Sequence, residues 1–131
     1  MKATKITYWA STLIIAIMMT FSAYSYLTNP AMKQAFLHLG FPDYFRVELA
    51  IAKLIGAGLL LIPLPSRMKE WVYAGFTITF ISALISHSAS GDPFQFRIMP
   101  AIFLIPLAIS YFSYHKMHIV NRLAVAQDNT L

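Results

Sequence analysis

Two residues of opposite charge, Glu48 and Lys53, lie inside a stretch that is otherwise apolar, FRVELAIAKLIGAGLLLIPLP from Phe45 to Pro65. Ionisable groups in a segment long enough to enter a bilayer mark binding sites, proton relays or structural ion pairs. Five residues of helix separate the two by about 7.5 Å along the axis and turn them apart by roughly 140°. They do not share a face, so each expects a partner on another element. Side chains lean toward a helix N-terminus, which lets Lys53 snorkel toward the end carrying Glu48. Candidate partners are His87, Arg97, Tyr24 and Tyr26, with Ser86, Ser88, Asp92 and Gln95 close by in sequence. A purely structural arrangement pairs Glu48 with Arg97 or His87. A functional one gathers Glu48, Lys53, His87 and Arg97, with Tyr24 or Tyr26, into a polar pocket that binds a ligand or relays protons.

Other chemistry is sparse. His115 and His118 have the i, i+3 spacing of some metal ligands, but no third ligand accompanies them, and they read as interfacial. His38 and His87, on one side of the chain, are the pair that would flank a haem. The absence of cysteine removes disulfides and thiolate sites. No phosphate-cradling loop, dinucleotide fingerprint or Ser-His-Asp order occurs. No metal site is expected, and no pattern names a cofactor.

The positioning elements follow from composition. The 131 residues are 58% hydrophobic and 11% charged, with a mean hydropathy of +0.62. A soluble domain is nearer half apolar and a quarter charged. Four apolar segments, at about 7–27, 47–62, 71–88 and 98–114, approach the roughly 20 residues a spanning helix needs. The first carries Lys2 and Lys5 like a signal peptide, yet it is long and lacks a cleavage motif, so a retained helix is expected. Lys2, Lys5, Arg67, Lys69, Lys116 and Arg122 gather on one side, against Lys33, Arg46 and Arg97 on the other. The first side is expected to be cytoplasmic, with both termini. Short links then give one membrane domain, an all-α antiparallel four-helix bundle. Residues 30–39, PAMKQAFLHL, predict a short outer interfacial helix with Met32, Phe36 and Leu39 on its apolar face.

Small residues predict packing. Gly75, Thr79, Ser82 and Ser86 line one face of the third span, and Ala52 with Gly56 one face of the second. The two helices are expected to pack together there. Pro106 predicts a bend in the fourth span. Trp9, Trp71, Tyr111 and Tyr114 read as interfacial belt residues, and the tail AVAQDNTL as frayed. A transport role needs a continuous polar path, and the inner half offers few polar side chains for one.

The order Glu48, Lys53, Leu54-Ile55-Gly56, Pro63, then KEWVYAGF at 69–76 and ISHSASGDP at 85–93 resembles the DoxX-like family. The resemblance covers Phe21 to the end of the fourth span. It implies a four-helix bundle in a bacterial inner membrane, with Glu48, Lys53, Gly56, Trp71, Tyr73, Gly75 and His87 as carried-over positions. Relatives include a small subunit tied to quinone-linked thiosulfate oxidation and partners in oxidative-stress complexes. The expected role is an accessory subunit or assembly partner of a larger membrane complex, or a self-associating protein, and not an enzyme on its own. The alternative is a binding or redox module for a quinone-like lipophilic molecule. The bilayer is the expected surroundings, and nucleic acid is not an expected partner.

Overall fold

The structure, a computed structural model, describes residues 2–131. All regular structure among them is helical: α1 (Lys2–Thr28), α2 (Pro30–His38), α3 (Asp43–Leu61), α4 (Ser66–Ala89) and α5 (Phe94–Asp128). The breaks fall where the chain chemistry dictates. Asn29 caps α2 by accepting the Ala31 N–H at 3.0 Å, and Pro30 begins it. Gly40 ends the following turn at φ +89°, and Gly91 turns the α4–α5 connection at φ +70°, angles glycine adopts without strain. Pro63 and Pro65 separate α3 from α4.

α1, α4 and α5 are each long and apolar enough to cross a membrane. α3 is shorter, at 19 residues, and carries Asp43, Arg46, Glu48 and Lys53. Large apolar side chains cover the outside, among them Phe21, Trp71, Ile78, Ile85, Ile105 and Phe112, all exposed. Such a coat belongs against lipid, and the protein is an integral membrane protein in contact with the bilayer.

α1 is the central strut, packing against α3 and α5, while α4 packs chiefly on α5. Tyr8, Thr12, Ile15, Met19 and Ala23 form its buried stripe at helical spacing. They meet Ala57 and Leu60 of α3, Tyr73, Phe76 and Phe80 of α4, and Leu107 and Tyr114 of α5.

The expected packing of the two small-residue faces is corrected. Gly56 does admit α4: a Cβ there would lie 2.7 Å from Cζ of Phe76. Gly75, however, has nothing within 4 Å of where its Cβ would be, and Ala52 is exposed. α4 turns its aromatics inward instead, at positions 73, 76 and 80. Burying three rings outweighs burying glycine and hydroxyl groups, and the small stripe on the other side of α4 is left facing an open groove.

The tail is also corrected. α5 continues to Asp128 without a break. Past Pro106 it meets no proline or glycine, and a helix already nucleated propagates cheaply through Ala- and Gln-containing sequence.

Candidate functional site

Lys53 is the one residue of the predicted cluster that is buried, at 6% exposure. Its Nζ donates to Ser22 Oγ at 2.9 Å and Tyr26 Oη at 2.8 Å and stands 4.0 Å from the Tyr26 ring centroid. Ser22 and Tyr26 are one helical turn apart on α1, so a single face presents both hydroxyls. The lysine was expected to snorkel to the outer interface, and its ammonium ends instead at hydroxyl groups inside the protein. Tyr26 is fixed in turn by Phe36 of α2, edge to face at 4.9 Å, and its carbonyl accepts from Nη1 of Arg46. Arg46 Nε donates to Asp43 Oδ1 at 2.8 Å.

An ammonium has three N–H donors, and two are engaged. Among the described residues no carboxylate pairs with it. The Lys53 side chain also helps to line the α3–α4 groove, a volume of about 390 Å³ whose walls include Ala52, Ile55, Gly56, Trp71, Gly75 and Phe76.

The other predicted residues are placed elsewhere. Glu48 and Arg97 are exposed, and among the described residues neither side chain has a hydrogen-bonded or ionic partner. Tyr24 is exposed and lines a separate apolar groove with Leu13, Ile17, Phe21 and Leu61. His87 meets neither Glu48 nor Lys53. Its Nδ1 lies 2.6 Å from Asp92 Oδ2, and His38 Nε2 lies 2.6 Å from Asp92 Oδ1. One carboxylate in the α4–α5 turn thus joins the end of α2 to the end of α4. The hydrogen bonds from His87, and then His38, hold the Asp92 carboxyl below the usual carboxylate range.

The far end of the helices holds a local hydroxyl network. Ser110 Oγ bridges Thr12 Oγ1 and Tyr73 Oη, both at 2.7 Å, in the buried core. Tyr8 and Tyr114 pack around the bridge with ring centroids 5.9 Å apart. Tyr114, expected in an interfacial belt, is instead 7% exposed, and among the described residues its Oη has no hydrogen-bond partner. His118, 4.3 Å from Tyr114 ring to ring, is likewise buried at Nε2 with no partner among the described residues. His115 Nε2 lies 2.5 Å from Glu70 Oε1, an ionic contact outside good hydrogen-bond alignment. Lys69, counted for its charge alone, is buried and caps α3 by donating to the Leu59 and Leu60 carbonyls at 3.1 and 2.6 Å. No cluster of His, Asp or Glu among the described residues is arranged to hold a metal ion.

Sequence reasoning missed Ser22, the Asp92 bridge and the Ser110 network. Tyr26 is among the expected candidates, and Ser22 could have been found by its i, i+4 spacing from Tyr26. The other two depend on how the helices are rotated against each other, which no single segment encodes.

The DoxX-like family model matches residues 10–110. No curated protein and no solved structure matches the chain.

Proposed function

This chain belongs to the DoxX-like family, and from that premise we propose that it is a membrane binding module for a lipophilic molecule with an electronegative head, such as a quinone-like compound. Its four long helices cross a bacterial inner membrane as an antiparallel bundle, with both termini cytoplasmic and α2 lying at the outer face. The ligand's head approaches Lys53, and its apolar body lies along the α3–α4 groove. One observation carries this reading: Lys53, a wall residue of an open apolar groove, has its buried ammonium on two hydroxyls and, among the described residues, no carboxylate. A buried cation lacking a counter-charge is costly, and a carbonyl or anionic head offsets that cost.

The test is binding of a short-chain quinone to the purified protein in lipid nanodiscs. Lys53→Met should weaken it about tenfold or more, the worth of one charge-assisted hydrogen bond. Glu48→Gln, at an exposed position, should leave it unchanged. Equal affinity of Lys53→Met and the unaltered chain would sink the proposal.

A second reading, an accessory subunit that receives a partner's transmembrane helix in the same groove, is favoured by the exposed Ala52 and the open space at Gly75. Mild-detergent purification separates the two. A co-purifying lipid-like molecule supports the ligand. A stoichiometric protein lost on Gly75→Leu supports the subunit.

A further inference from the structure

We propose that the lipid-facing side of α4 is the surface on which two copies of this chain pair, with Glu48 of each copy meeting Arg97 of the other. The inference does not depend on the ligand-binding reading above.

The two charges carry it. Glu48 and Arg97 are exposed on a surface coated with apolar side chains, and among the described residues neither side chain has a partner. Ionisable groups on the lipid side of a bundle are costly and are seldom left unpaired. The fold keeps these two from meeting within one chain. α4 packs on α5 along one side and on α3 along the other, and α3 and α5 do not pack on each other. Glu48 shares a helix face with Ala52, Ile55 and Leu59, which line the α3–α4 groove. Arg97 shares a face with Leu104, Tyr111 and His115, and the last two touch Tyr73 and Glu70 of α4. Both charges thus lean toward α4, from opposite sides. They also lie at one end of the bundle, where His38 beside the start of α3 meets Asp92 beside the start of α5. Glu48 is about 7.5 Å of helix from the start of α3, and Arg97 about 4.5 Å from the start of α5.

Between the two charges α4 presents an uncovered face. Trp71, Ala74, Ile78, Ser82, Ile85 and Ala89 recur at spacings of three and four residues, and all are exposed. The opposite side of the helix is filled by Tyr73, Phe76 and Phe80. Small and large side chains alternate along the exposed face. Ile78 and Ile85 of one copy fit over Ala74 and Ser82 of another, and the two backbones can come close.

A second copy answers both the shape and the charge. A two-fold axis parallel to the helices and beside α4 sets α3 of one copy opposite α5 of the other. That single operation closes two identical Glu48–Arg97 pairs, one on each side of the α4–α4 contact. Lipid chains would cover the apolar face and leave both charges unmatched.

The chain contains no cysteine, so Ile78→Cys places one thiol per copy beside the axis, where a residue meets its own counterpart. Oxidation in proteoliposomes should join Ile78→Cys chains into a covalent dimer. Ile105→Cys, on an exposed face of α5, should not be joined. Charge reversal then tests the pairing. Glu48→Arg and Arg97→Glu, each alone, should weaken self-association about tenfold, for two pairs lost per dimer, as read by energy transfer between labelled copies. Mixed together, the two variants form a heterodimer in which both pairs again have opposite charges, and the parental association should return. Recovery on mixing also shows that each variant is folded and that the pairing is between chains, since a pair within one chain would stay broken.

A parent chain that is monomeric in native lipid, its α4 face covered by lipid or by a different protein, overturns the proposal. Failure of Ile78→Cys to form a dimer does the same. Reversals that leave association unchanged, or that do not recover on mixing, overturn the Glu48–Arg97 pairing.

Discussion

Ser110→Ala is the most direct probe of what joins three of the helices. The Ser110 hydroxyl is fully buried and bridges Thr12 of α1 to Tyr73 of α4 from its own position on α5. It has one proton, so it donates to one neighbour and accepts from the other. Removing the oxygen breaks both bonds and leaves two hydroxyls short of a partner. Hydrogen bonds between membrane helices average about 0.6 kcal/mol and reach about 1.7, so two give a loss between about 1 and 3 kcal/mol. Thr12 Oγ1 and Tyr73 Oη can be no farther apart than two 2.7 Å legs allow. A small shift lets them pair directly, which favours the lower end, about 1 kcal/mol. The assay is reversible unfolding of the purified protein in mixed micelles, or steric trapping in nanodiscs. The triple variant Ser110→Ala, Thr12→Val, Tyr73→Phe should be less destabilised than the sum of the single changes, because it leaves no orphaned polar atom. A Ser110→Ala protein as stable as the parent, or additive losses in the triple variant, would refute the reasoning.

Two further outcomes test the packing and the charges. Gly56→Ala should destabilise by about 1–3 kcal/mol, because its Cβ meets the buried Phe76 ring at 2.7 Å, whereas Gly75→Ala should be neutral or stabilising by up to about 1 kcal/mol in thermal unfolding. The Asp43 carboxyl is held below its ordinary value by the hydrogen bond from Arg46, so its stabilising effect is complete above the usual carboxylate pKa of 3.8 and is lost as pH falls through the lowered folded value. Acid unfolding curves should therefore flatten below about pH 4 in Asp43→Asn, and equal slopes in variant and parent would contradict this.

Much of the fold could be read because lipid leaves the backbone few options. Long apolar runs must be helices, and Pro30, Gly40, Pro63, Pro65, Gly91 and Pro93 mark their ends. Lys53 could be singled out because a charge in such a run needs a reason. Tyr26 could be named beside it, while Ser22 carries no signal beyond its one-turn spacing from Tyr26. Tyr114 was misread for a different reason. The fourth apolar run ends beside it, which suggested an interface, but α5 runs on to Asp128 and Tyr8 covers its ring. Hydropathy reports where apolar residues stop and says nothing of where a helix stops. The α4 stripe misled because small residues permit close approach without demanding it, and the inward-facing rings at 73, 76 and 80 offered more area.

The interior of α1 has an electrical consequence. Its stripe is polar at Thr12 and again at Ser22, with Ile15 and Met19 fully buried between them. Ten residues of helix place those two polar layers about 15 Å apart. Across that distance the stripe offers no side-chain donor or acceptor to hand a proton along, and Phe76 and Phe80 add their rings from α4. A proton on that stripe would have no hydroxyl to move to between Thr12 and Ser22. Along this stripe of α1 the two hydroxyl clusters are thus kept apart by apolar side chains.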